Sequence, residues 1–476
     1  MDNNWPTALA FNAWTGEEIA SGDVAPSARS WALGKTTSPP KTVPKLAPPK
    51  DADLSTWGDS RVGWGLVLPD RPDLSEQELA AGTDAPDPIQ ELLKARGNAP
   101  VFRFRPGDTG SFTFLRDHRN KKDVSIQGSP FGLAPGALPF YLLLYGNPAE
   151  LPWELQYVLN ARSAGRQGAV GRLDLTGDAL ENYVGALLSD WKDADMQIGQ
   201  AVVWAVDHGP DDITRLMRNA IAAKVHADYE GDTEIASTFF DGAHGPATTA
   251  NLIGCLAAKR PGVVVTTSHG KTGPLSDPQT MKGSLGLPVD QNYGLLHPND
   301  LLAKWEPDGA VWYAHACCSA GGDSETIFEG VVEAGSSAYQ VLKAVADLGA
   351  CVAPLPRALL GAKKPLRAFV GHVEPTFDWT LRQPQTGQHL TDSIRRTLYN
   401  NLFSGQPVGL ALTDAYRSLA AYYATYDKDI KAYNKGNDKI LPSALYCQLA
   451  ARDTQTLVLL GDPAAALPKL PPIQPG

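Results

Sequence analysis

The sequence is poor in cysteine, in basic charge and in long apolar runs. It has five cysteines among 476 residues, no two of them spaced as CxxC, and a formal net charge of −10. Sparse cysteines argue against a disulfide framework, and the missing CxxC spacing argues against a structural zinc site. The negative charge argues against a nucleic-acid binder or a protein of anionic membrane surfaces, because both need a basic surface.

No apolar stretch approaches the roughly 20 residues that a membrane-spanning helix requires. The first residues, MDNNWPTALAFNAW, show no basic stretch followed by an apolar one, so we expect no secretory signal. We therefore expect a soluble chain with free thiols in the reducing cytoplasm. The glycine motifs of nucleotide-binding loops are missing as well, and no cofactor or metal is expected.

The pattern of the sequence divides the chain into four parts. Residues 1–56 include a Pro/Lys-rich stretch that predicts an extended N-terminal arm, and residues 57–138 form an accessory region of mixed pattern. In residues 139–463 short apolar runs alternate with helical patterns, which predicts an α/β sandwich with a mostly parallel sheet. Residues 464–476 form a Pro-rich tail.

The apolar runs have the β-branched, non-alternating composition of strands that are buried on both faces. They are FYLLLYG (140–146), QAVVWAVD (200–207), GVVVTTSHG (262–270), AVWYAHACC (310–318), ACVAPL (350–355), RAFVGHVE (367–374) and TLVLLGDP (456–463). Among the stretches between them, TIFEGVVEAGSSAYQVLKAVADLG has a helical pattern.

Two of these runs end in residues that could perform chemistry. One ends in His269-Gly270, and the other ends, roughly 50 residues later, in Cys317-Cys318. Functional groups collect at the carboxyl ends of parallel strands, so the two ends could meet in space. A thiol needs a base to become a nucleophile near neutral pH, and His269 could serve as that base. The backbone N–H groups of Gly270 and Cys317 could stabilise a developing oxyanion.

This layout resembles that of the caspase-like (clan CD) cysteine peptidases, and in detail their bacterial CHAT- and gingipain-like members. TTSHG resembles their histidine motif and HACCSAGG resembles their cysteine motif. Five flanking blocks also resemble segments of this family, namely FYLLLYGNPAELPWELQY, AVGRLDL, APLPRALLG, AFVGHVE and LLGDP. The resemblance covers about Pro139 to Pro463. It implies a caspase-like three-layer α/β/α sandwich, with a degenerate half over 139–199 and a catalytic half over 200–463.

The resemblance also implies a function. The chain would be a cysteine endopeptidase that cleaves protein substrates through a Cys–His dyad, without metal or cofactor. Cys317 would be the nucleophile, since it directly follows Ala316 as the family motif asks, and His269 would be the general base. Such peptidases often serve bacterial defence or signalling circuits, so we expect low basal activity and an activating protein partner.

Substrate selection is less directly indicated. Family members that select a basic residue before the scissile bond often have an acid two positions before the nucleophile, and here that position is His315. Asp207, at the end of a preceding apolar run, and Asp290, between the two motifs, could supply the acid instead. We expect Asp207 to line a pocket for Arg or Lys.

Two other functions remain open at this stage. A non-catalytic caspase-like scaffold would bind peptides in the same groove without cutting them. A redox sensor would use the adjacent thiols of Cys317 and Cys318 and would need no histidine. The retention of both His269 and Cys317 favours the peptidase over the scaffold, and mutation of His269 would separate the peptidase from the redox sensor.

Overall fold

A computed structural model of the chain describes residues 7–28, 31–32, 52–106, 112–161 and 167–470. Most of the Pro/Lys-rich stretch of the expected N-terminal arm and the end of the Pro-rich tail lie outside these ranges. Within them, every helix is too short or too polar to cross a lipid bilayer.

Strands and helices alternate along most of the described chain. The strands are β1 Ala8–Trp14, β2 Ile19–Asp23, β3 Trp64–Pro69, β4 Val101–Phe104, β5 Phe114–Asp117, β6 Lys122–Ser125, β7 Tyr141–Tyr145, β8 Ala169–Leu173, β9 Gln197–Ala205, β10 Ala236–Asp241, β11 Pro261–Thr267, β12 His269–Lys271, β13 Pro288–Val289, β14 Val311–His315, β15 Gly321–Gly322, β16 Cys351–Val352, β17 Ala368–His372 and β18 Leu457–Leu460. The helices are α1 Glu76–Ala81, α2 Asp87–Ala95, α3 Trp153–Asn160, α4 Asp178–Leu188, α5 Ile213–Met217, α6 Ala223–Glu230, α7 Thr249–Lys259, α8 Pro278–Ser284, α9 Pro298–Leu302, α10 Ser337–Asp347, α11 Pro354–Leu360, α12 Asp392–Arg396, α13 Val408–Leu412, α14 Arg417–Tyr433 and α15 Leu441–Thr456. Shorter turns are π-helical at Arg218–Ala222 and Thr397–Asn401 and 3₁₀-helical at Asp378–Thr380 and Asp438–Ile440.

The main sheet is mixed but mostly parallel, as the apolar runs predict. Its twelve strands lie in the order β10-β9-β11-β14-β17-β18-β8-β7-β3-β4-β5-β6. The strands from β10 to β17 are parallel to one another, β18 is antiparallel to β17, and β8, β7, β3 and β4 run in the direction of β18. The two groups of strands therefore present their carboxyl ends at opposite rims of the sheet.

The two groups share one strand order. From the outer edge inward, the later group reads β10-β9-β11-β14, which is second, first, third and fourth in chain order. Inside the antiparallel edge strands β5 and β6, the earlier group reads β4-β3-β7-β8, which is again second, first, third and fourth among its parallel strands. The chain thus repeats one winding scheme, and residues 57–138, expected to be an accessory region, contribute β3 to β6 to the same sheet.

Apolar side chains cover both faces of the sheet. In β9, Val202 and Trp204 belong to one buried cluster, whereas Ala201, Val203 and Ala205 belong to another. Neighbouring residues of a strand point to opposite faces, so the two clusters are the two cores between the sheet and its helices. Strands with apolar residues on both faces produce the continuous apolar runs seen in the sequence.

Part of the expected N-terminal arm is folded. β1 and β2 form an antiparallel hairpin, and β1 also pairs in parallel with β12. Leu9, Phe11 and Ala13 of β1 are buried in a third apolar cluster, which also contains both cysteines of the ACC motif. The hairpin is thus packed against the predicted site rather than extended in solvent.

Two local predictions are wrong. ACVAPL contributes only the two-residue strand β16, which pairs with β15 outside the main sheet, and its proline, Pro354, begins helix α11. Proline cannot donate a backbone hydrogen bond and fits the first turn of a helix, so it ends the strand early. The helical pattern around residues 325–348 forms a helix only in its second half, α10, which begins after the cap residue Ser336.

We expect Gly171 to be essential for joining the two groups of strands. It lies in β8 opposite Leu459 of β18, and a Cβ atom at Gly171 would clash with the carbonyl oxygen of Gly461. Gly171→Ala should therefore lower the free energy of unfolding by about 1–3 kcal/mol, measured by denaturant titration. Gly185→Ala is the control, because Gly185 lies in α4 with free space around it and alanine there should stabilise by about 0.5–1 kcal/mol. Equal stability of the two variants would contradict this account of the junction.

Candidate active site

The two predicted motifs meet at the carboxyl ends of adjacent strands. β11 pairs in parallel with β14, and Thr267 lies opposite His315. His269 lies two residues after Thr267, and Cys317 lies two residues after His315. Gly270 packs directly on the Cys317 backbone, since a Cβ atom on Gly270 would collide with the Cys317 carbonyl oxygen. Only glycine allows the two loops to approach this closely.

His269 is held by an acid that the sequence analysis did not identify. Its imidazole is fully buried, and its Nε2 atom lies 3.0 Å from Oδ2 of Asp212. The other ring nitrogen, Nδ1, has no hydrogen-bond partner among the described residues. An acid on one ring nitrogen and a free second nitrogen is the arrangement that a general base needs.

Asp212 is positioned by the start of helix α5. Its side chain caps this helix and accepts hydrogen bonds from the backbone N–H and the hydroxyl of Thr214, at 2.7 and 2.5 Å. Burial alone would raise the pKa of Asp212, but the hydrogen bond and charge of His269 and the bonds from Thr214 outweigh it and lower the pKa to about 2. The carboxylate is thus ionised throughout the physiological range.

The Cys317 thiol is buried and bound to the backbone of Thr376. Its Sγ atom accepts a hydrogen bond from the Thr376 N–H at 3.1 Å and donates to the Thr376 carbonyl at 3.4 Å. Burial raises the pKa of Cys317 well above its usual value, so the thiol is neutral in this conformation. Cys317 and His269 are therefore neighbours in the fold, but no hydrogen bond joins their side chains in the described structure.

A column of aromatic rings extends from His269 to the surface. The His208 ring is parallel to that of His269, with centroids 5.6 Å apart, and the Tyr293 ring stacks on His208 at 4.3 Å. Trp14, the last residue of β1, lies 4.5 Å from Tyr293 and ends the column. Burial, and then the charge of His269, lowers the pKa of His208. The lowered pKa favours the neutral form of the His208 ring beside His269.

Among the described residues, one trio of side chains has the spacing of metal ligands, namely His208, Asp212 and His269. The two imidazole planes are inclined by only 7°. Nε2 of His269 lies 3.0 Å from Oδ2 of Asp212, and Nε2 of His208 lies 3.0 Å from the Asp290 carbonyl oxygen, so both of these ring nitrogens are at hydrogen-bond distance from an oxygen. The trio therefore fits an acid–base group better than a metal site.

The three residues predicted to select substrate are tied into the structure in different ways. Asp207 is bound at both carboxylate oxygens by Nε of Arg215, at 3.0 and 3.1 Å. Asp290 accepts the backbone N–H groups of Thr249, Asn292 and Gly294 and so shapes its own loop.

His315, the third of them, lies beneath the site. Its Nδ1 atom is 3.0 Å from the Tyr313 hydroxyl and 3.3 Å from Nε2 of His372. Burial lowers the pKa of His315 to about 3, so the ring is neutral. His315 occupies the position at which family members that select a basic residue often have an acid. In this chain that position is therefore uncharged.

Strand β1 covers this group of residues. The Cys317 N–H, one of the two predicted oxyanion donors, donates a hydrogen bond to the Asn12 carbonyl at 3.3 Å. Asn12 in turn donates its N–H to the Thr376 carbonyl at 3.0 Å. The N-terminal strand β1 therefore contacts Thr376 and the Cys317 N–H and packs in the same apolar cluster as the Cys317 thiol.

None of the protein-family models, curated proteins and solved structures that were compared with this chain matches it. Any function of the site has to follow from the side chains described above. Those side chains are a buried imidazole held by a carboxylate, a thiol on the neighbouring loop and a glycine that brings the two backbones together.

We expect the Asp212–His269 contact to govern the acid sensitivity of the fold. A carboxylate whose pKa is lowered on folding, here from 3.8 to about 2, contributes stability above the unfolded pKa and loses it as pH falls through the folded pKa. Asp212→Asn should therefore be less stable than the wild type near pH 6, and this difference should shrink between pH about 4 and about 2. Urea unfolding at a series of pH values measures it, with the exposed neighbour variant Asp211→Asn as the baseline. A difference that stays constant with pH would contradict the pairing.

Proposed function

We propose that this chain is a caspase-like cysteine endopeptidase, with Cys317 as nucleophile and His269 as general base. One observation carries the proposal: the His269-Gly270 and Cys317 loops meet at the ends of adjacent parallel strands, with Asp212 holding the imidazole. The mostly parallel sheet with apolar cores on both faces supports the resemblance to this class of peptidases. Fold alone does not determine function, so the argument depends on the site.

The proposed reaction is acyl transfer to the thiol. The Cys317 sulfur attacks the scissile carbonyl carbon while its proton passes to Nδ1 of His269. The N–H groups of Gly270 and Cys317 receive the oxyanion, and His269 returns the proton to the leaving amine as the C–N bond breaks. A water molecule, deprotonated by His269, then hydrolyses the thioester and frees the thiol. Asp212 remains ionised and keeps the imidazole in one tautomer and orientation.

We interpret the geometry as the resting form of the proposed enzyme. Sγ of Cys317 is bound to Thr376, and the Cys317 N–H is occupied by Asn12. Catalysis requires the sulfur to leave Thr376 and approach Nδ1 of His269. Catalytic hydrogen bonds often form only in the complex with substrate, so the present separation of thiol and base is compatible with the proposal. Low basal activity and an activating protein partner, acting in a bacterial defence or signalling circuit, belong to the same proposal.

One observation favours a second function. The thiol is fully buried and its pKa is raised, which are properties of a structural cysteine. A non-catalytic scaffold that binds peptides in the same groove would have no need of a reactive thiol. The buried imidazole of His269 counts against the scaffold. A scaffold would have no need of an imidazole with one nitrogen bound to a carboxylate and the other without a partner among the described residues.

We expect Cys317→Ala and His269→Ala to lower peptide hydrolysis by about a thousandfold or more, because the nucleophile and its base act as one unit. Asp212→Asn should lower it less, by about tenfold to a thousandfold, because this residue only orients the base. The measurement is cleavage of a peptide library by the full chain, followed by mass spectrometry. Cys318→Ala is the matched control and should cleave like the wild type.

Two results would contradict the proposal. Hydrolysis that survives Cys317→Ala would remove the assigned nucleophile. Peptides that bind equally to wild type and His269→Ala and are never cut would instead establish the scaffold.

A further inference from the structure

We propose that β1 is an internal pseudosubstrate, a segment of the chain that occupies the groove meant for a peptide and places Asn12 before the position of the scissile bond. The inference rests on the proposed peptidase function. It adds how the same site is kept inactive and which peptides it accepts.

The first support is the way in which one side of β1 is bound. β1 runs parallel to β12, the short strand that begins with His269, with Ala13 opposite Gly270 and Trp14 opposite Lys271. The Thr272 N–H donates to the Trp14 carbonyl at 3.0 Å. Extended peptides are commonly bound in this way, as an added strand on an exposed backbone edge.

The other side of β1 is bound by the segment that also holds the thiol. Asn12 donates its N–H to the Thr376 carbonyl at 3.0 Å, and Phe11 pairs with Phe377 in an antiparallel bridge. β1 therefore fills a groove whose two walls are the histidine loop and the Thr376 segment. A substrate strand could not enter this groove while β1 is present.

The position of Asn12 follows from the Cys317 N–H. This N–H, one of the proposed oxyanion donors, already binds the Asn12 carbonyl at 3.3 Å. The carbonyl held by an oxyanion donor belongs to the residue before the scissile bond. Asn12 thus takes that position, and Ala13 takes the position after the bond.

The side chain of Asn12 indicates which residue the pocket accepts. It is fully buried, its Nδ2 atom donates to the His315 carbonyl at 3.4 Å, and its Oδ1 atom has no hydrogen-bond partner in the part of the chain that the structure describes. The His315 ring is neutral, and the Asp207 carboxylate is bound by Arg215. A side chain that meets a carbonyl acceptor beside a neutral imidazole suits a neutral carboxamide better than Arg or Lys.

The apolar residues of β1 explain why the thiol is inaccessible. Leu9, Phe11 and Ala13 are buried in the same cluster as Cys317, and the Phe11 ring packs edge-on against Phe377. Removing β1 would expose the thiol, the oxyanion donor and the face of Tyr293 that Trp14 covers. An activator has to overcome this packing, which keeps the groove closed in the isolated chain.

The test compares Phe11→Ala with Phe102→Ala in the full chain. Both phenylalanines are buried in strands, but Phe102 lies in β4, in the other group of strands. Alkylation of each cysteine is timed by mass spectrometry, with the half-buried Cys255 and Cys351 as internal references. Phe11→Ala should speed the alkylation of Cys317 by about tenfold or more relative to Phe102→Ala, because it favours local release of β1. Equal rates would overturn the inference, and Phe11→Leu with Phe102→Leu replaces the pair if alanine prevents folding.

The second readout is hydrolysis of two fluorogenic peptides, acetyl-Leu-Ala-Phe-Asn-aminomethylcoumarin and the same peptide with Arg in place of Asn, each of which releases the fluorescent amine when the bond after Asn or Arg is cut. Phe11→Ala should cleave the Asn peptide at least about tenfold faster than the Arg peptide and faster than the wild type does. Faster cleavage of the Arg peptide would overturn the assignment of Asn12 and favour Asp207 as the selecting acid. Wild-type cleavage at the rate of Phe11→Ala would overturn the pseudosubstrate while leaving the peptidase intact. Faster alkylation without cleavage of either peptide would support closure of the groove by β1 and count against the peptidase and the Asn12 assignment.

Discussion

The parallel pairing of β11 with β14 is the constraint on which the whole site depends. With Thr267 opposite His315, both strands end at the same level, and the histidine and cysteine loops start side by side. A slip of one residue would turn every side chain of one strand to the wrong face, and both faces are buried in apolar cores. The register is therefore fixed by packing far from the site. Gly270 then completes the approach, because any side chain there would strike the Cys317 carbonyl.

Much of the central sheet could be predicted from sequence, because strands buried on both faces carry a continuous apolar signature. The missed strand β3, WGLVLP, has this signature but lies in the region of mixed pattern, whereas the missed strand β8 lacks it. β8 contains Gly171 and the fully buried Arg172, whose guanidinium is satisfied by Gln156 and by backbone carbonyls of Gly146 and Leu151. A charged residue in a core strand is only tolerated with such partners, and these partners come from other elements of the fold. β1 was missed for a related reason: its edge is completed by β12, which lies more than 250 residues away in the chain.

The site shows the same division between local and distant information. His269 and Cys317 could be predicted because each follows its own strand directly, so the motif carries its structural context. Asp212 could not, because Asp-x-Thr before a short helix is an ordinary cap, and only the tertiary fold brings it to His269. Asp207 was the more obvious acid by position, yet Arg215 occupies it. Thr376 binds the thiol through its backbone N–H and carbonyl, and a backbone contact does not require a particular residue type that a sequence motif could show.

Burial of the thiol and closure of the groove are two effects of one contact. The covered Cys317 cannot ionise readily, because a thiolate without water or a partner charge is unfavourable in an apolar cluster. Release of β1 would admit water, free the Cys317 N–H from Asn12 and let the sulfur leave Thr376 for His269, whose imidazolium would then favour the thiolate. Access and reactivity would rise together. The raised pKa of Cys317 is consequently a property of the closed state, which a resting enzyme and a scaffold would share. The two can be distinguished only when β1 has been displaced.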